Sequence, residues 1–360
     1  MRCERPHPSG GSRRAASGFV LAVTLWILAG IAIAVALMTL WARSQVEEAH
    51  IGRERLQDEL AFFGTRDTLL YLAATRELNR AGLPVEPMSE EARALQRLSE
   101  FGGLSHDPVG GELRLDDAPY LGLAGTRFSL QDEAGLYSVV LPPARSIERL
   151  LEGHGVEPER IPGLRDALLD YLDADDLRRL NGAERREYER ARLPPPPNRR
   201  LLTPGELARV MGWERLPREQ LERLVAHITP YYAGATNLNT APESLLPVWL
   251  DGCPETCARL VAERRRAPFR NGYEVQDRLG IVLPGEPGVD YRFLADEGLV
   301  MTLWGRTGIA WRMHVRLTPL AAQRGPWSIL AAYPIPRPRT DELPADTGSA
   351  LFADPAVARQ

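Results

Sequence analysis

An uncharged apolar run from Phe19 to Ala42, interrupted only by Thr24 and Thr39, constrains this chain more than any other feature. The run holds about 24 residues, and at about 1.5 Å rise per residue a helix of that length crosses the roughly 30 Å hydrocarbon core of a bilayer. A secretory signal peptide has a shorter apolar core, about 7–15 residues, followed by a small-x-small cleavage site, and this run fits neither feature. Arg5, Arg13 and Arg14 precede the run, whereas Arg43 and the Glu47-Glu48 pair follow it. Basic residues favour the cytoplasmic side, so the N-terminus is expected there and the bulk of the chain outside. The 360 residues leave room for one large domain or two modest ones beyond the anchor.

The same helix is expected to continue past the membrane. Val46, Leu56, Leu60, Phe62, Phe63, Leu69, Leu70, Leu72 and Ala73 recur every three to four residues with charged residues between them, the signature of an amphipathic helix. From Leu113 to Leu141 the pattern shortens to strands, and Arg127–Val140 reads as a hairpin turning at Asp132-Glu133-Ala134-Gly135. Val300–Trp304 and Ile309–Leu317 read as a second hairpin around Gly305 and Gly308, with Trp327–Ala332 as a further strand. The middle, 144–290, reads as mostly helical, with Leu193–Pro197 as a rigid surface loop. The tail from Pro334 is rich in proline and acidic residues and is expected to be disordered. The fold class expected is therefore α+β: a long N-terminal helix, half transmembrane and half amphipathic, packed on a small antiparallel sheet with a large inserted helical domain. Its segments are 19–42 for the span, 43–143 for the amphipathic helix and first strands, 144–290 for the insertion, 291–333 for the last strands and 334–360 for the tail.

A net charge of -4 gives no reason to expect nucleic acid as a general partner. Every basic residue apart from histidine is arginine, which a GC-rich coding sequence explains better than selection for phosphate contacts. Cys3 precedes the span, so Cys253 and Cys257 form the pair available to the folded part, either bridged or as two buried thiols. No G-x-S-x-G elbow, P-loop, H-E-x-x-H pair or dinucleotide fingerprint occurs, His154 between two glycines reads as a loop residue, and His227 and His314 read as structural, so no enzyme is expected. A membrane-tethered hydrolase would need a nucleophile or metal that the pattern does not reveal.

Asp173, Asp175, Asp176 and Glu184 are the candidate ligand set. Hard oxygens gathered where a helix runs into a loop suit calcium, which takes six to eight oxygen ligands, although the spacing does not follow an EF-hand. The competing reading is a solvated acidic helix end, where carboxylates oppose the helix dipole and attract a counter-ion. Asn237–Pro242, the turn at Asp251-Gly252-Cys253-Pro254 and the arginines Arg259, Arg264, Arg265 and Arg266 resemble a helix-hairpin-helix unit. The alternative function is thus a membrane-anchored DNA-binding protein of an uptake system. Asp251 and Pro254 weaken that hairpin as a phosphate binder, and Asn237, Asn239 and Thr240 are expected to cap the helix that begins at Pro242.

A basic leader ending in Gly18, then Phe19 and a long apolar helix with an amphipathic extension, resembles the type IV prepilins and pseudopilins. Asp166–Asp176, Asn181–Glu184 with Tyr188, and Asn237–Glu243 are similar to passages of the protein K family of minor pseudopilins in type II secretion. The resemblance implies a leader over 1–18, cleavage between Gly18 and Phe19 by prepilin peptidase, and methylation of Phe19. It also implies an inner-membrane protein with a periplasmic body, partnered by minor pseudopilins I and J at the tip of the pseudopilus, and calcium in the exported domain. Pseudopilins usually carry Glu at the fifth mature position; Val23 stands there, a departure shared by the protein K subgroup and suited to a subunit with no neighbour above it.

Overall fold

The computed structural model describes residues 17–86, 90, 106–140, 142–318, 325–336 and 350–352. They fall into two compact units, 1–57 and 58–360. Helix α1, Ser17–Thr75, begins in the first and ends in the second. The apolar part of α1 reaches a mean hydropathy of 2.7 and none of it is buried within the protein. Its two polar side chains are satisfied along the helix, Thr24 Oγ1 donating to Leu21 O at 2.9 Å and Thr39 Oγ1 to Val35 O at 2.7 Å. A hydroxyl bonded in this way exposes no free donor to lipid.

The second unit is built on five antiparallel strands: β1 (Asp116–Leu121), β2 (Arg127–Asp132), β7 (Gly298–Trp304), β8 (Ala310–Leu317) and β9 (Trp327–Pro334), in the order β1-β2-β7-β8-β9. Side chains alternate across a strand, so Leu299, Met301 and Leu303 of β7 join Met313 and Val315 of β8 in one apolar cluster with Phe62, Leu69, Leu70 and Ala73 of α1. Leu60 and Phe63, read from the sequence as part of the packed stripe, are exposed instead, as are Val46 and Leu56. Their spacing is helical, but the stripe that packs is offset around the helix, through Phe62 and Leu69.

The helix is also fastened by charge. Asp58, buried on α1, accepts hydrogen bonds from Arg306 N and Thr307 N, both at 2.7 Å, and from Thr307 Oγ1 at 2.5 Å, at the turn between β7 and β8. Gly305 allows this approach, since a Cβ there would stand 2.7 Å from Asp58 Oδ2.

The β7–β8 hairpin and strand β9 stand where the sequence places them, but the hairpin read over Arg127–Val140 does not form. β2 pairs with β1 and β7, and after a 3-10 turn at Glu133–Gly135 the chain leaves the sheet. β3 (Tyr137–Ser138) then pairs in parallel with β4 (Ile228–Thr229). The cause is Asp132, fully buried at the end of β2. Its carboxylate accepts from Ala134 N (3.0 Å), Asn237 Nδ2 (2.7 Å), Thr240 Oγ1 (2.9 Å) and Asp296 N (3.2 Å). Burial pushes this carboxyl up to about 6 in spite of those donors. Asn237 and Thr240 therefore tie the inserted helices to the sheet rather than cap a helix; the 3-10 segment Glu243–Val248 has Pro242 at its N-cap and no side-chain cap.

The insertion holds two cores. The first gathers α2 (Ala144–Gly153), α3 (Ile161–Leu172), α4 (Arg185–Ala191) and α5 (Arg218–His227) around Trp213, Tyr188, Leu168 and Leu150. The second gathers α6 (Glu255–Arg266) and α7 (Gly272–Leu279) around Phe269, Leu260 and Val275, with Tyr291 of the short strand β6 (Tyr291–Arg292), which pairs with β5 (Thr236–Asn237). Asn239 closes the second core, its Nδ2 donating to Phe269 O and Phe293 O at 2.8 Å each. Cys253 and Cys257 are joined by a disulfide, their Cα atoms 5.1 Å apart. Within the expected tail, Leu351 and Phe352 pack on the sheet core, Phe352 edge-on to Phe128 at 5.6 Å. Residues 1–16 of the leader and the remainder of that tail, 337–349 and 353–360, lie outside the described residues.

Candidate functional site

Helix α3 supplies one wall of the acidic loop. Asp166 and Asp170, one turn apart, both face inward and are buried. Burial pushes Asp166 up, but hydrogen bonds from Arg165 and from Asn181 N (3.1 Å) outweigh it and hold the carboxyl below its ordinary value. Asp170 is displaced upward by burial although Arg179 Nη1 sits 2.6 Å away. Asp173 ends the helix, and its Oδ2 takes the same guanidinium at 2.5 Å. Asp175 Oδ1 accepts from Leu177 N at 2.8 Å, and Asp176 Oδ1 from Asn198 Nδ2 at 3.0 Å.

Glu184, at the N-cap of α4, is different. It is 4% exposed, and neither carboxylate oxygen has a hydrogen-bond partner among the described residues. Burial first, and then the negative charges of Asp170, Asp173, Asp176 and Asp175, push this carboxyl up to about 7. Asp173 Oδ1 and Asn198 Oδ1 are likewise buried and unpaired. Unpaired buried oxygens cost stability unless a donor or cation satisfies them. The donor chemistry therefore fits a hard cation, since every orphaned atom is an oxygen. The placement is less complete: among the described residues no three His, Cys, Asp or Glu side chains converge as a metal cage. Asp173, Asp175, Asp176 and Glu184 share one loop region, but Arg179, Leu177 N and the Asn198 amide already engage the first three of them. Asp170 and Asn198 were missed in the sequence. The i, i+4 pair Asp166/Asp170 was a readable signal for an inward acidic face; nothing local marks Asn198.

His154, His227 and His314, and Arg259, Arg264 and Arg266 of α6, have internal partners. His154 Nε2 lies 2.9 Å from His227 Nδ1, and burial together with His154, Arg312 and Arg223 pulls His227 down to about 3, so it stays neutral. His314 Nδ1 faces Glu133 Oε1 at 2.6 Å and its Nε2 faces Tyr333 at 2.9 Å. Arg264, one of the four arginines read from the sequence as part of a helix-hairpin-helix-like unit, is buried and donates to Leu238 O (2.8 Å) and Ala241 O (2.7 Å), while Arg259 donates to Leu279 O.

The chain thus joins a helix of membrane length to an α+β body whose sheet has helices inserted between its strands. Residues 130–230 match the family model described as "Type II secretion system (T2SS), protein K". A curated relative, type II secretion system protein K of Pectobacterium carotovorum subsp. carotovorum, is 29% identical over 162 residues, covering 42% of this chain and 48% of the relative. The chain thus spans about half the length of that relative. Among solved structures, a chain of the GspK-GspI-GspJ complex from enterotoxigenic Escherichia coli is similar at 15% identity and a TM-score of 0.45, covering 82% of this chain and 99% of that one. The resemblance to protein K read from the sequence is borne out by the family match over its first inserted module and the adjoining strands.

Proposed function

We propose that this chain is a minor pseudopilin of a type II secretion system, held in the inner membrane by residues 19–42 with its body in the periplasm. The observation that carries the reading is the union of a wholly unburied apolar helix with a body matching protein K over residues 130–230. Prepilin peptidase would cleave between Gly18 and Phe19 on the cytoplasmic face, and Phe19 would become the methylated first residue. The role is mechanical. The apolar helix stores the subunit in the bilayer, and its withdrawal requires compensating helix–helix contacts with neighbouring subunits. Minor pseudopilins I and J are the partners, a reading suggested by the complex in which the similar solved chain occurs. Leu60 and Phe63, apolar and exposed on α1, are available for such contacts.

The tip position follows from Val23. A carboxylate at that depth is expensive unless a neighbour's amine meets it, and a subunit lacking it needs no neighbour above. Val23→Glu is expected to leave processing unchanged and to impair tip placement, read as fewer co-purified complexes with I and J and reduced secretion. Normal complexes and normal secretion in that variant would contradict the tip role.

Calcium is the cation proposed for the acidic loop, with Glu184, Asp173, Asp175 and Asp176 as its carboxylates and the orphaned Asn198 Oδ1 beside them. A bound divalent ion would supply the positive charge that Glu184 lacks and fix the loop between α3 and α4.

A further inference from the structure

A cleft of ≈ 860 Å³ opens where the sheet meets both inserted modules, and five of its lining residues are arginines: Arg80, Arg200, Arg270, Arg292 and Arg316. Asp296 is the carboxylate that shares the lining. The chain as a whole is acidic, with a net charge of -4, so this concentration of positive charge is local and not a by-product of composition. Like charges crowded into one concavity repel, and the field they focus attracts anions.

The guanidiniums are held from behind. Arg292 Nη1 lies 3.1 Å from Asp296 Oδ1 and 3.3 Å from the Tyr232 hydroxyl. Arg316 Nη2 donates to Tyr231 O at 2.7 Å. Arg80 and Arg270 share Asp107, at 2.9 and 3.4 Å. Arg200 and Arg316 are exposed, and no carboxylate pairs with either among the described residues. Four of the five positions are therefore preset, and two positive charges remain uncompensated.

We propose that this cleft binds an acidic peptide segment carrying at least two carboxylates. Charge complementarity sets the class, since guanidinium forks bind carboxylates bidentately. Size favours a chain segment over a lone inorganic oxyanion, because the volume lies in the range of about 300–1,000 Å³ that holds ligands of many atoms. The exposed loop at Ala233 and Gly234 presents backbone N–H groups with no protein acceptor among the described residues, suited to a main-chain carbonyl. This inference goes beyond the assembly role and does not depend on it.

The test uses the full-length chain in detergent and a fluorescein-labelled hexaglutamate peptide, followed by anisotropy with hexaglutamine and inorganic phosphate as competitors. The expected result is saturable hexaglutamate binding that weakens with added salt. Arg200→Gln and Arg316→Gln should each weaken it about tenfold, with an unchanged melting temperature in Arg200→Gln because that side chain is exposed. Wild-type affinity in the double variant would overturn the proposal, as would competition by hexaglutamine equal to that of unlabelled hexaglutamate. Displacement by phosphate at the concentrations at which unlabelled hexaglutamate displaces would also overturn it, leaving a simple oxyanion site.

Discussion

Glu184 and Asp132 are both buried carboxyls raised above their ordinary values, and they differ in what surrounds them. Four donors meet Asp132, so its truncation strands partners that span three parts of the chain. Asp132→Ala is expected to destabilise the body by about 3 kcal/mol, measured by denaturant unfolding. Glu184 meets no donor and stands among like charges. Its folded value near 7 exceeds the ordinary 4.5, so the folded state holds this proton more tightly than the unfolded chain does. The associated stabilisation is complete below the ordinary value and is lost as pH rises through about 7. Without calcium, Glu184→Gln should therefore raise the melting temperature at pH about 8 and change it little at pH about 4. Calcium should raise the wild-type melting temperature above neutral pH, where a cation replaces the missing proton, and should do so less in the variant. Parallel melting profiles with and without calcium in both proteins would contradict the cation site.

At the scale of elements, α1 is joined to the sheet by an apolar stripe and by one carboxylate. Burial works against ionisation of Asp58, but the donors on Thr307 and Arg306 overcome it and hold the carboxyl below its ordinary value. Asp58→Ala is expected to cost about 2–4 kcal/mol and to speed proteolysis near the β7–β8 turn; an unchanged digestion rate would show the seam to be apolar alone. Because the folded value is depressed, this contribution is present above the ordinary carboxyl value and disappears as pH falls through the folded one. The β7–β8 hairpin was legible because Gly305 and Gly308 lie between two runs of strand-forming residues. The false hairpin at Asp132–Gly135 had equally good local chemistry, and only Asn237 and Thr240, more than a hundred positions away, decide against it. Phe63 and Phe62 are adjacent in sequence, yet one is exposed and the other buried, because periodicity shows that a helix is amphipathic before it shows which face the body covers. Arg264 looked like a surface cation for the same reason: its acceptors, Leu238 O and Ala241 O, belong to another segment. Glu184 was legible from its place close behind the acidic cluster, but its orphaned oxygens become visible only after folding.

For the molecule as a whole, the membrane helix determines where every other part can act. From Phe19 to Ala42 no residue is buried by the protein itself, and an apolar surface of that extent requires lipid or other subunits to cover it. The arginines before the span and the acids after it set the proposed orientation. The periplasmic placement proposed for the body suits the disulfide between Cys253 and Cys257. The reading as a minor pseudopilin depends most on what happens at Gly18. Intact-mass analysis of the chain co-expressed with an active prepilin peptidase tests it directly. The account predicts a mature protein that begins at Phe19 and carries one added methyl group on its amine, whereas a product that retains its first eighteen residues would contradict it.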